Sequence, residues 1–267
     1  MTADAGMKAA SDLLFRCWEE GWKLPSVPDE MRPRTRADGY EAQAFLEQRS
    51  ASPLFGWKIA ATSLAGQAHI GVDGPLAGRI LQERVLPPGA TVSLAGNAMK
   101  VAEPEFAFRM AQTLAPRPGD YGTDEVMAAV GSLHPAIEVP DSRFEDFVSA
   151  GEAQLLADNA CAHQFVLGEP APDGWRDLDL VTFAPKATVR RPGQPPTTRM
   201  GQGANVLGDP RVALTWLANE LSRLSIPLQA GQVVTTGTCM VPLAVEASDE
   251  VEVDFGVLGG LRIAFGA

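Results

Sequence analysis

Glu103 and Glu105 stand two apart in Val-Ala-Glu-Pro-Glu-Phe-Ala-Phe, and Glu138 follows inside the apolar stretch Ala-Ile-Glu-Val. In an extended strand successive side chains point to opposite faces, so Glu103 and Glu105 share one face while Phe106 and Phe108 load the other. Gathering like charges out of water costs several kcal/mol unless a cation neutralises them. Three carboxylates supply the hard oxygen ligands that Mg²⁺, Mn²⁺ or Ca²⁺ take. The competing reading is a solvated strand edge, which Pro104 favours because it cannot donate to a ladder. Residue types alone leave both open. A second candidate is Lys58: from Leu54 to Ala61 the chain alternates, with Phe55, Trp57, Ile59 and Ala61 facing one way and Gly56, Lys58 and Ala60 the other. Lys58 thus projects between two small residues, as a side chain reaching into a cavity would, or else faces solvent from an amphipathic strand.

The elements that must position these residues run from helices into strands. Met7, Ala10, Leu14, Cys17 and Gly21, widened by Leu13, Trp18 and Trp22, predict an amphipathic helix over about 4–22. A proline-bearing loop over 23–36 leads to a second helix over roughly 39–49. From Gly89 onward short apolar runs separated by turns predict strands at 103–110, 136–139, 162–167, 180–184, 232–236, 251–255 and 261–265. A helix is expected near 123–133 and another opening at Asp209-Pro210, an N-cap followed by proline at the first helical position. Strands and helices do not alternate regularly, so an α+β sheet sandwich or roll is expected rather than a doubly wound parallel sheet.

Composition frames the chemistry. A chain of 267 residues with 45% hydrophobic content can bury a large core. The net charge of −11 offers no basic stripe for a phosphate backbone, which argues against nucleic acid. Cys17, Cys161 and Cys239 are odd in number and widely spaced, indicating neither a disulfide framework nor a zinc knuckle and suiting a reducing cytoplasm. No basic segment precedes an apolar one at the N-terminus and no run approaches a membrane span of about 20 residues, so a soluble, untargeted chain is expected.

The ordered blocks Gly56-Trp57-Lys58-Ile59-Ala60-Ala61-Thr62, Gly71-Val72-Asp73, Glu103-Pro104-Glu105, Ala136-Ile137-Glu138-Val139, Ala157-Asp158-Asn159-Ala160, Leu207-Gly208-Asp209-Pro210 and Thr235-Thr236-Gly237 carry a resemblance over nearly the whole chain. The sequence resembles the 2-hydroxypenta-2,4-dienoate (2-keto-4-pentenoate) hydratase and 4-oxalocrotonate decarboxylase branch of the fumarylacetoacetate hydrolase superfamily. The resemblance implies a mixed β-sandwich or roll with an N-terminal helical portion. Residues 1–85 would form that portion together with the first strand, which carries Lys58, and 86–267 the β-rich catalytic body, in one compact unit. It further implies a homo-oligomer, a Mg²⁺ or Mn²⁺ ion held by Glu103, Glu105 and Glu138, and a small 2-oxo or 2-hydroxydienoic acid substrate from aromatic meta-cleavage. Lys58 matches the family's active-site lysine. Asn159, Thr236 and Gly237 fall in segments that contact substrate or order water, although an Asx turn at Asn159 and strand packing at Thr236 account for them equally well.

One departure bears on the reaction. Hydratases of this branch read Gly-Val-Asp-x-Pro-Asp where this chain reads Gly71-Val72-Asp73-Gly74-Pro75-Leu76, and Leu76 cannot transfer a proton. The expected activity is a metal-dependent hydro-lyase acting on a 2-hydroxy-2,4-dienoate or 2-oxo-4-enoate. The alternatives are a 2-oxo acid decarboxylase, a C–C hydrolase on a β-diketo acid, or a catalytically weak binding protein with a structural ion. His69, His134 and His163 lack metal-ligand spacing, Cys161 and Cys239 read as buried small hydrophobes, and Asp141, Arg143, Glu145 and Asp146 read as a solvated ion-pair cluster.

Overall fold

A computed structural model of the protein describes residues 3–267. The first apolar stripe forms the helix Ala3–Glu20, whose Met7, Ala10 and Leu14 bury against Ala42, Phe144 and Ala157. The second helix, Arg36–Ala44, runs on as a 3₁₀ turn over Phe45–Arg49. It starts earlier than expected because Thr35 and Asp38 form a reciprocal capping box that satisfies the first free N–H groups.

The strand bearing Lys58, Gly56–Ala60, lies inside a mixed eight-stranded sheet. It pairs antiparallel with Leu76–Ile80, the edge strand, and parallel with Val233–Thr238. Beyond Val233–Thr238 come Val101–Met110, Val130–Val139, Gln164–Leu167 and Val85–Leu86, with Leu243–Ala244 also paired to Val101–Met110. A five-stranded sheet runs in the order Thr91–Ser93, Gly260–Gly266, Glu250–Asp254, Lys186–Arg190 and Thr197–Met200. The sheets share one core: Phe106 and Phe108 meet Val251, Val253 and Ile263, and Phe106 stands edge-on to Phe255 with ring centroids 5.2 Å apart. Asp209 caps the helix Pro210–Arg223, whose Leu214, Leu217 and Leu221 join that core. The architecture is the α+β sandwich expected, with helices at the N-terminus.

Three expected elements are corrected. The helix near 123–133 ends at Ala128, and the strand expected at 136–139 begins at Val130, because the long Val101–Met110 strand offers it a ladder over its whole length. The strand expected at 180–184 is a turn: the Asp179 carboxylate accepts the backbone N–H of Val181 at 3.0 Å and the Thr182 hydroxyl at 2.6 Å, an Asx turn that competes with extension. The strand Leu76–Ile80 and the short helices Leu64–Ile70 and Glu152–Ala157 were not anticipated. No helix among the described residues is long and apolar enough to cross a membrane.

Candidate metal centre

Sheet register gathers the candidates. Glu103 lies directly opposite Glu138 on the neighbouring strand, and Glu105 is two residues along on the same face. Lys58 pairs with Thr235 across the parallel ladder, and Thr235 with Ala107, so Lys58, Thr235 and the glutamates line one face. One carboxylate oxygen from each of Glu103, Glu105 and Glu138 lies within 4.8 Å of the others. Glu105 and Glu138 are buried and Glu103 is partly exposed.

Glu105 is held from behind: its Oε2 accepts the Thr235 hydroxyl and the Gly237 N–H, the latter at 2.8 Å. Its Oε1 and the Oε2 of Glu138 are buried without a hydrogen-bond partner, an expensive state for a carboxylate. Lys58, 3% exposed, donates to the Ala160 carbonyl at 2.8 Å and lies 3.1 Å from Glu138 Oε1. One ammonium beside three carboxylates leaves two negative charges uncompensated when all are ionised. Burial, then the Glu138 charge, pushes the Glu103 carboxyl up to about 7, and burial, then the Glu138 and Glu103 charges, raises Glu105 well above the ordinary carboxyl value. Burial raises Glu138 too, with Lys58 opposing it. Burial alone would lower the Lys58 ammonium, but Glu138 and then Glu103 hold it above the ordinary lysine value. Converging hard oxygens, two orphaned oxygen atoms and uncompensated charge fit a divalent cation.

The remaining candidates are placed differently. Gly237 sits at the site through its N–H, in a backbone (φ +95°) where a Cβ would lie 2.1 Å from Thr62 Oγ1. The Thr236 hydroxyl donates to the Phe106 carbonyl at 3.0 Å; the hydroxyl that reaches Glu105 is that of Thr235, one residue earlier. Only the pairing with Lys58 and Ala107 identifies Thr235, since a one-residue offset exchanges strand faces. Asn159 is buried with its amide on the Arg79 backbone. Leu76 pairs with Ala60 on the face that carries Lys58, is buried, and brings no titratable group, while Asp73 is exposed. The charged cluster after Glu138 is solvated only in part: Glu145 and Asp146 are exposed as expected, but Asp141 and Arg143 are buried, and Arg143 pairs with the buried Asp158.

His134 bonds Ser132 and the Gly168 carbonyl, and His163 accepts the Trp18 indole N–H at 2.7 Å, so both serve packing networks. Burial raises the Cys161 thiol to about 12 and the Cys239 thiol above its usual range, unlike reactive thiols.

The chain is 30% identical over 260 residues to a 2-keto-4-pentenoate hydratase of Paraburkholderia xenovorans (strain LB400), covering 96% of this chain and 93% of the relative. It is also 30% identical over 247 residues to a 4-oxalocrotonate decarboxylase of Pseudomonas sp. (strain CF600), covering 91% and 90%. The solved structure of 4-oxalocrotonate decarboxylase from Pseudomonas putida G7, complexed with magnesium and adipate, superposes with a TM-score of 0.86 at 25% identity, covering 99% of this chain and 98% of that one. No family model matches the chain.

Proposed function

Because the chain belongs to the family of 2-keto-4-pentenoate hydratases and 4-oxalocrotonate decarboxylases within the fumarylacetoacetate hydrolase superfamily, we propose that it is a metal-dependent hydro-lyase. It adds water to a 2-hydroxy-2,4-dienoate, or its 2-oxo-4-enoate tautomer, to give a 4-hydroxy-2-oxo acid, a step of aromatic meta-cleavage catabolism. The observation that carries the reading is the convergence of Glu103, Glu105 and Glu138 around two unpartnered buried oxygens beside Lys58.

The ion is a divalent cation, and we assign it as Mg²⁺ or Mn²⁺ held by Glu103, Glu105 and Glu138. When bound it supplies positive charge where an enolate oxygen develops on a 2-oxo acid. The protein's own groups do the rest. Thr235 and Gly237 fix Glu105 Oε2 and so aim Oε1 into the cluster. A lysine ammonium has three N–H donors. Ala160 and Glu138 take two in this arrangement, which supports a role for the third as donor to an oxygen of the substrate. Leu76 narrows the acid/base options, since no carboxyl stands there to deliver the proton that accompanies hydration.

Leu76 is also the observation that favours a second reading. Enolate stabilisation serves loss of CO₂ from a second carboxylate placed β or vinylogously to the 2-oxo carbonyl as well as hydration, and the superposed Pseudomonas putida G7 structure is a decarboxylase. The small-molecule acid is the partner in either case, and we expect a homo-oligomer located in the cytoplasm. The test is turnover of 2-hydroxypenta-2,4-dienoate and its longer diacid analogues, followed by ultraviolet absorbance with and without Mg²⁺ or Mn²⁺, with products identified by mass. Metal-dependent gain of one water is expected. Loss of CO₂ or cleavage would transfer the assignment to the decarboxylase or hydrolase reading, and no reaction across the panel would leave a binding protein with a structural ion.

A further inference from the structure

Three consecutive non-glycine residues, Asn159, Ala160 and Cys161, take left-handed backbone with φ of 56°, 50° and 60°. Each such conformation is disfavoured by its Cβ, and runs of it are uncommon. The surroundings must therefore enforce this one, and they do so from two sides.

On the sheet side, Leu76–Ile80 is the edge strand, so the outward N–H and C=O of Arg79 have no strand partner. The Asn159 amide takes both: Oδ1 accepts the Arg79 N–H at 2.6 Å and Nδ2 donates to the Arg79 carbonyl at 2.8 Å. On the other side Arg143, 1% exposed, donates to the Asp158 carboxylate, to the Asp158 carbonyl, and to the Ala162 carbonyl at 2.9 Å, bracketing the turn. The Cys161 carbonyl accepts the Asp141 N–H at 2.9 Å. What the turn presents is the Ala160 carbonyl, 2.8 Å from Lys58 Nζ. Gly78 leaves room for the approach: a Cβ there would lie 2.4 Å from the Asn159 carbonyl oxygen and 3.0 Å from Lys58 Cδ.

We infer that Asn159 is a positioning residue whose amide clamp on the Arg79 backbone holds the Ala160 carbonyl against Lys58 and so fixes where the lysine ammonium points in the site. The inference rests on the proposed role of Lys58 toward substrate. Its rival is an asparagine that merely caps a sheet edge, which would act on stability and not through Lys58.

Asn159→Gly separates the two, because glycine accepts the left-handed backbone while deleting the amide. It is made in the wild-type and Lys58→Ala backgrounds, with kcat and KM measured on 2-hydroxypenta-2,4-dienoate, Mg²⁺ affinity by calorimetry, and a crystal structure of the single variant. Asn159→Gly is expected to lower kcat roughly 10- to 100-fold, as small misplacements of reacting groups do. KM and Mg²⁺ affinity should stay within about threefold of wild type, and kcat should fall no further when Lys58 is already alanine, the non-additivity of residues acting as a unit. An unchanged kcat, or an equal further loss in the Lys58→Ala background, overturns the inference. The crystal structure reads the same point without turnover: Lys58 Nζ should leave the Ala160 carbonyl, and an unmoved lysine refutes the clamp. Failure of the proposed activity in the wild-type protein is thereby distinguishable from failure of this inference. Should Asn159→Gly not fold, Gly78→Ala pushes the turn away from the sheet side, its Cβ meeting the Asn159 carbonyl oxygen one peptide before the Ala160 carbonyl, with the same outcomes expected and the same ones excluded.

Discussion

Replacing Glu105 by glutamine should make the metal-free protein more stable while removing its response to divalent cations. The glutamine carbonyl can accept the Thr235 hydroxyl and the Gly237 N–H that Glu105 Oε2 accepts now. Its NH₂ then replaces the orphaned Oε1 and can donate toward Glu103 or Glu138. At the 4.8 Å limit that encloses the three ligand atoms, each like-charge pair is repelled by about 3 kcal/mol at an effective dielectric constant of about 20. The metal-free wild-type protein must keep that repulsion or take up a proton against the pH, whereas the variant does neither. Allowing for attraction to Lys58 and for relaxation, a gain of about 1–3 kcal/mol is expected at pH 8, or roughly 2–8 °C in Tm for a chain of this size. Adding Mg²⁺ at about 100 times its Kd should stabilise wild type by about 2.7 kcal/mol and the variant scarcely at all. Scanning calorimetry with and without EDTA measures both. A variant that is less stable than wild type without metal, or that keeps the full wild-type shift with Mg²⁺, would refute the reasoning.

Thr235→Val should weaken Mg²⁺ binding roughly 10- to 100-fold in a calorimetric titration by freeing Glu105. Thr236→Val should instead leave binding intact and cost about 1–3 kcal/mol of stability, because the buried Phe106 carbonyl loses a donor; equal effects of the two on metal affinity would contradict the face assignment. Gly237→Ala should lower both metal affinity and soluble yield, since its Cβ would collide with Thr62; wild-type affinity in that variant would show that the Gly237 N–H does not fix Glu105. Leu76→Asp should confer or improve dienoate hydration in the ultraviolet assay, and no gain would remove Leu76 as the feature separating this chain from hydratases. Burial, then the Arg143 charge, pushes the His163 imidazole down to about 3, and its Nδ1 must stay unprotonated to accept from Trp18. Its folded pKa thus lies below the unfolded value of about 6.5, so the stability it contributes is present above pH 6.5 and lost as pH falls toward 3, by up to about 1.4 kcal/mol per pH unit. An imidazole NMR titration midpoint near 6.5 would exclude this.

The sequence made one half of the site legible and hid the other. Alternation within a strand puts Glu103 and Glu105 on one face and Phe106 on the core face, and the structure follows it. That Glu138 stands opposite Glu103 depends on non-local register, and Lys58 arrives through a parallel neighbour from the far end of the chain. Neither contact leaves a local trace. That Thr235, and not Thr236, shares the glutamate face has the same origin, because one residue of offset reverses every side chain. Arg143 reads as a surface charge until Asp158 and the carbonyls around it are in place, and left-handed backbone at Ala160 and Cys161 contradicts their local preference. At Asp179 the signal is present: an aspartate three residues before Thr182 is turn chemistry, which outweighs the short apolar run beside it.

We propose Glu103, Glu105 and Glu138 as one metal centre. Anomalous scattering from crystals equilibrated with Mn²⁺ tests this most directly. A single strong peak within bonding distance of Glu105 Oε1 and Glu138 Oε2, lost in Glu105→Gln, is the predicted result; saturating Mn²⁺ that leaves the three carboxylates without a peak, or binds elsewhere on the chain, would contradict it.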